Sequence, residues 1–278
     1  MRIFNPWLLL VMAACWPGAV CAKLQLLPDR EPQRVFAGEA RNITVIWHNA
    51  GDKTAGADVR TRLYQASSAT AAPLSEKAWK KIEILPGQTV LESAPIDFPA
   101  VNAETRFLIQ WLEGTNQVVG KTEVLVYPTN LLSELKPLLG EENLGVLDPN
   151  DELKPLLKQN HVEFSDLSES ALEDFRGKLA IVEPATKAQM RGDLAQAIQK
   201  IARKGVVMVW IQPPPGPKDQ IKPSFYIVPE GKGLIMVVHA DLVAKLPENP
   251  NSQLNLVYFC KLALNPIPFS LPDLKTQP

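Results

Sequence analysis

Apolar side chains recur at every second position through the first half of the chain. Ile43, Val45 and Trp47 alternate with Asn42, Thr44 and Ile46, and Val59, Thr61 and Leu63 alternate with Arg60, Arg62 and Tyr64. Ile82 and Ile84 keep the same rule against Lys81 and Glu83, Phe107, Ile109 and Trp111 form a further row, and Val124 and Val126 close the series. A period of two puts successive side chains on opposite faces of a pleated strand, so these rows predict half-buried strands. Turn-forming clusters separate them at Asn49–Asp52, Pro86–Gly87, Pro99–Asn102 and Gly114–Asn116, and the small, polar stretch Ala66–Pro73 predicts a loop. Trp47 and Trp111 fall on inward rows and are predicted core. Trp79, beside Lys77, Lys80 and Lys81, reads either as an exposed aromatic and basic patch or as a strand edge guarded by lysine.

After Pro128 the pattern changes to short continuous apolar runs: Leu144–Leu147, Val162–Phe164, Leu179–Val182, Val206–Ile211 and Leu234–Val238. Runs of this kind mark strands buried on both faces of a parallel sheet. Helices are predicted between them at Asp151–Gln159, Ser168–Phe175, Ala188–Lys204 and Asn251–Leu264, with Ser168 and Asn251 as N-caps and Gly205 as a stop. The echo of Glu134–Leu139 in Glu152–Leu157 reads as two similar helix starts with proline in the first turn. The predicted fold class is therefore multidomain: an all-β immunoglobulin-like sandwich over 23–127, then an open, parallel α/β sheet of flavodoxin-like type over 128–278.

With 29 Lys+Arg against 30 Asp+Glu, the 278 residues are nearly neutral, which argues against a nucleic-acid footprint. Three cysteines are too few for a disulfide scaffold, and His48, His161 and His239 lie too far apart for ordinary zinc spacing, so neither metal nor cofactor is expected. Residues 1–22 carry Arg2, an apolar stretch from Trp7 to Trp16, and Val20, Cys21, Ala22. They predict a signal peptide cut after Ala22 and a secreted or periplasmic protein, with lipid attachment at Cys15 as the lesser alternative. The cut removes Cys15 and Cys21 and leaves Cys260, expected to be buried in the last helix.

Ligands of open α/β sheets bind at the carboxyl ends of the strands. Asp148, Glu183, Gln212 and His239 occupy those ends and form the candidate ligand-binding set. Each also has an ordinary structural use: Asp148 precedes Pro149 and can cap the next helix, Glu183 precedes Pro184, and His239 begins a turn. No glycine-flanked nucleophile turn, GxGxxG or GxxxxGKS/T occurs, and the run Pro213–Pro217 lacks the amide hydrogens that would cradle an oxyanion or a phosphate. No catalytic residue is assigned.

Val45–Gly51, Leu85–Gly87, Ile96–Pro99 and Val126–Pro128 resemble the Ig-like modules of secreted bacterial glycoside hydrolases of the β-galactosidase type. Leu147–Pro149, Arg203–Val207 and His239–Leu242 resemble the class I glutamine-amidotransferase-like module that follows in such proteins. The chain departs from the second pattern in having no cysteine on a nucleophile elbow, and it has no room for a catalytic (β/α)8 barrel of about 250 residues. The resemblance implies a catalytically degenerate accessory pair that binds carbohydrate or a protein partner. Two other readings stand beside it: an assembly subunit that recruits a protein through a sheet edge, and a small hydrolase or metal-dependent enzyme at the carboxyl edge of the α/β sheet.

Overall fold

The computed structural model describes residues 24–114, 116–167, 174–183, 193–214 and 224–266. The predicted signal peptide with Cys15 and Cys21, Ser168 and its helix start, Pro184, the first turn of the predicted Ala188–Lys204 helix, and Pro215–Pro217 lie outside those residues. Two compact units interleave along the chain. One takes residues up to Glu31, Asn42–Ala94 and Leu108–Glu123; the other takes Pro32–Arg41, Pro95–Phe107 and everything from Val124.

Eight strands occupy the first half: β1 (Leu24–Leu27), β2 (Gln33–Phe36), β3 (Ala40–Asn49), β4 (Ala55–Ala66), β5 (Ala71–Ile84), β6 (Thr89–Asp97), β7 (Thr105–Glu113) and β8 (Gln117–Tyr127). They form a three-stranded sheet ordered β1-β3-β6 and a five-stranded sheet ordered β2-β8-β7-β4-β5. The period-two rows turn inward as expected: Ile43, Trp47, Phe107, Ile109 and Trp111 are all at 0% exposure. Trp79 is partly buried, its ring 6.4 Å from Trp47 and 5.3 Å from Trp111, so it packs against that interior while keeping part of its surface exposed. Lys80 lies over its ring at 5.0 Å. The expected loop at Ala66–Pro73 is shorter, because Ala71–Pro73 already pair with β4.

The second half contributes β9 (Leu144–Leu147), β10 (Phe164–Asp166), β11 (Leu179–Val182), β12 (Val207–Gln212), β13 (Phe225–Glu230) and β14 (Gly233–His239), with helices α1 (Leu135–Leu139), α2 (Lys154–Gln159), α3 (Asp193–Arg203) and α4 (Pro250–Leu264). The sheet order is β10-β9-β11-β12-β14-β13. Leu144, Val146, Ile181, Val209, Ile211, Met236 and Val238 pack on the α2 and α4 side, while Ala180, Val182, Met208, Ile235 and Val237 pack with Ile198, Ile201 and Ala202 of α3 on the other. Gly205, at φ +112°, ends α3 by donating its N–H to Ala202 O, as predicted.

The predicted fold class requires correction. The chain is a mixed α/β protein with three sheets, not an antiparallel Ig-like sandwich followed by a parallel sheet. β2 runs parallel to β8, and β13, which opens on the apolar run Phe225–Val228, runs antiparallel to β14. Side-chain period reports which face is buried and carries no information on strand direction, which is why the sequence reading missed both. Two helix starts also move. α2 begins at Lys154, after a loop, not at Asp151; α4 begins at Pro250, with Asn249 as N-cap accepting from the Asn251 N–H at 2.9 Å, so Asn251 is capped and does not itself cap. Cys260 is buried in α4, and burial pushes its thiol up to about 12.

Candidate functional site: the carboxyl edge of the six-stranded sheet

From β9 the chain passes to β10 on one side and then to β11, β12 and β14 on the other, so strand order reverses between β9 and β11. Crevices at such reversals are the usual ligand positions of open sheets. Asp148 and Glu183 stand there, immediately after β9 and β11, and the Glu183 N–H donates to Leu147 O at 2.9 Å to extend the ladder between the strands.

Asp148 is fully buried. Its carboxylate accepts the backbone N–H groups of Glu152 at 3.2 Å, Leu153 at 2.7 Å and Lys154 at 3.0 Å. The donors that a helix start leaves open to an anion are thus filled by the chain's own carboxylate. Asp151, at φ +54°, tightens the connecting loop, and its carboxylate lies 3.1 Å from Lys154 Nζ, with Asp166 on the other side at 2.8 Å. Burial works against the Lys154 ammonium, but the hydrogen bonds it donates to Asp166 and Asp151 outweigh it and hold its pKa above the usual lysine value.

Glu183 is only partly buried, and its Oε2 has no hydrogen-bond partner among the described residues. Burial, followed by the charges of Asp148, Glu152 and Asp241, pushes its carboxyl up to about 7. Glu152 and Asp241 were not singled out in the sequence. Their positions just past strand ends were the available signal.

Gln212 and His239 are register partners on β12 and β14. The Ala240 N–H donates to Gln212 O at 3.0 Å, the His239 N–H donates to Ser224 O at 2.8 Å, and the imidazole lies 5.7 Å from the Tyr226 ring. Tyr226 is the contact that sequence reasoning missed, because β13 itself was missed.

Alternation divides the four predicted residues between the two faces of the sheet. Asp148 and Glu183 keep the parity of Val146 and Ile181, the α2 and α4 side, whereas Gln212 and His239 keep the parity of Met208 and Val237, the α3 side. Asp148 with Glu183 forms one pair and Gln212 with His239 another; the structure does not gather all four. Among the described residues no three His, Cys, Asp or Glu side chains are grouped to hold a metal ion. Two cavities, of 390 Å³ beside Asn143 and Arg176 and of 410 Å³ beside Lys136 and His161, open at the opposite, amino edge.

No family model matches the chain, and no curated protein matches it. Solved structures offer faint likenesses. A Pseudomonas fluorescens alkylpurine DNA glycosylase bound to abasic-site DNA is 12% identical over 38% of this chain and 30% of its own, at a TM-score of 0.30. A Listeria innocua β-glucosidase is 16% identical over 39% of this chain and 17% of its own, at 0.30, and an Erythrobacter marinus β-glucosidase is 11% identical over 38% and 15%, also at 0.30. The chain thus spans less than a third of the length of each, and likeness at this level assigns neither fold nor function. No helix among the described residues is long and apolar enough to cross a membrane.

Proposed function

We propose that this is a non-catalytic binding protein that takes a neutral, hydroxyl-rich ligand of the carbohydrate class at the carboxyl edge of the six-stranded sheet. The observation that carries the reading is the unequal state of two neighbouring carboxyls. Asp148 spends both oxygens on backbone N–H groups, whereas Glu183 Oε2, at the strand-order reversal, has no partner among the described residues. A base already saturated by three donors is poorly placed to take a proton from a substrate. A carboxyl titrating near neutrality can instead donate to or accept from a hydroxyl. The acidic surroundings of Asp148, Glu152 and Asp241 disfavour an anion, and Gln212 with the His239–Tyr226 ring pair forms a separate group on the other face of the sheet. The same reading places the protein outside the cytoplasm, on the composition of residues 1–22.

A glycan-binding screen on the purified chain, followed by titration calorimetry of each hit, tests this. Glu183→Gln should weaken binding about tenfold, the order expected for a lost hydrogen bond. Hydrolysis of a reporter ester, amide or glycoside that disappears in Asp148→Asn would overturn the reading in favour of an enzyme.

A further inference from the structure

β6 closes one side of the three-stranded sheet, and its outward positions Thr89, Leu91 and Ser93 carry no charge, the exposed Asp97 lying beyond Pro95. The Asn49 N–H donates to Gln88 O at 3.1 Å and His48 Nδ1 lies 3.1 Å from Thr89 Oγ1, so the register of neighbouring β3 and β6 runs His48 opposite Thr89 and Ile46 opposite Leu91. Leu27 of β1 lies opposite Ile46 on the other side. An apolar row, Leu27–Ile46–Leu91, therefore crosses the solvent face, and Leu91 at 67% is the most exposed large apolar side chain among the described residues. Ala94 and Ile96 are buried, so Thr89, Leu91 and Ser93 keep the solvent-facing parity. The side-chain contact of His48 with Thr89 marks a pair that exchanges no backbone bonds, which aims the N–H and C=O groups of Thr89, Leu91 and Ser93 away from β3.

Edges of this kind are normally blunted by lysine, proline or bulges. The β5 edge has Pro73, Lys77, Lys80 and Lys81 and two register irregularities, and β13 has Pro229. β6 presents three clear positions before Pro95 interrupts it.

We propose that β6 pairs antiparallel with β6 of a second copy of this chain about a two-fold axis at Leu91. Thr89 then faces Ser93 of the partner subunit and Leu91 faces Leu91 of the partner subunit. Outward amides meet outward amides, which gives about six N–H···O bonds. The apolar row doubles in length across the axis. No like charges meet: Glu92 is held by Lys80 at 2.5 Å and in this register faces Val90 of the partner subunit. A second copy fits better than an arbitrary strand because this isologous register sets leucine on leucine and hydroxyl on hydroxyl. The inference is independent of the carboxyl-edge ligand.

Sedimentation velocity and light scattering on the full purified chain, from about 1 μM to about 1 mM, the range of a small interface, test it. Wild type and Leu85→Lys, a surface change outside the row, should show mass rising toward a dimer. Leu91→Lys places two ammonium groups across the axis, and Ser93→Pro removes an outward N–H while sparing those that serve β3. Each should weaken dimerisation at least tenfold, with unchanged circular dichroism, and Leu91→Lys suffices should the proline variant fold poorly. A monomer throughout the range, dimers that survive both substitutions, or a monomer that instead captures an extended peptide would each overturn the proposal.

Discussion

Glu183 extends the backbone ladder to the strand that precedes Asp148, with its N–H on Leu147 O at 2.9 Å, and the two carboxyls do opposite work. Asp148 is consumed in holding the start of α2. Replacing it with alanine leaves three N–H groups facing a buried void. The loss should be about 2–3 kcal/mol, the upper range for a removed cap plus unpaired donors, with asparagine costing about half as much. Urea denaturation monitored by tryptophan fluorescence measures it. A loss below about 0.5 kcal/mol for Asp148→Ala would mean that the loop re-forms its cap with another acceptor.

Glu183 ties stability to pH in the reverse sense to most carboxylates. Its pKa rises from 4.5 to about 7 on folding, so the native state holds the proton more tightly than the unfolded chain. Its favourable contribution is complete below about pH 4.5, declines as pH climbs toward 7, and is gone above that. Glu183→Gln should abolish this decline and stabilise the protein at pH 8 by about 1–2 kcal/mol, a figure reduced from the full shift because the carboxyl is partly exposed. Denaturation midpoints at pH 5, 6, 7 and 8 for both proteins check it. Parallel pH profiles would show that the carboxyl is already charged in the native state.

His161 occupies a position that ordinarily suits glycine. Its φ is +55°, its N–H donates to Lys158 O at 3.0 Å, and the next N–H, of Val162, reaches back to Leu157 O at 2.9 Å. These are the two bonds of a Schellman turn, with histidine at the left-handed residue. His161→Gly should raise the unfolding free energy by about 0.5–1 kcal/mol, the relief of left-handed strain less the backbone entropy of glycine. A thermal melt that moves down would indicate that the imidazole makes contacts worth more than the strain.

Much of the molecule was legible where burial alone decides the pattern. Ile43, Val45, Trp47, Phe107, Ile109 and Trp111 could be placed in the interior because an alternating row has only one apolar face. The runs at Leu144–Leu147 and Leu179–Val182 were recognisable as strands because both faces are covered. What could not be read depends on partners distant in the chain. Gln33–Phe36 is four residues long and acquires its parallel direction only from β8, and the apolar run Phe225–Val228 acquires its antiparallel direction only from β14. The split of the candidate site has the same origin. Glu183 and Gln212 both end apolar runs, but they face opposite sides, which parity reveals only once Val182 and Ile211 have been assigned to their separate cores.

Trp47 and Trp111, 5.9 Å apart and nearly perpendicular, differ in one polar atom. Trp111 Nε1 donates to Thr122 Oγ1 at 3.0 Å in the interior, whereas Trp47 Nε1 is buried with no partner among the described residues. Thr122→Val conserves shape but strips the acceptor, and an orphaned buried donor costs about 1–3 kcal/mol. Trp111→Phe in the same background removes the orphan, so the Thr122→Val penalty should shrink by about 1 kcal/mol in the double variant. Trp47→Phe offers no such coupling to Thr122, since its indole makes no bond there. A double-mutant cycle by urea denaturation separates the two cases. Equal coupling of Thr122 to both tryptophans would show that the threonine acts through packing and not through the indole hydrogen bond.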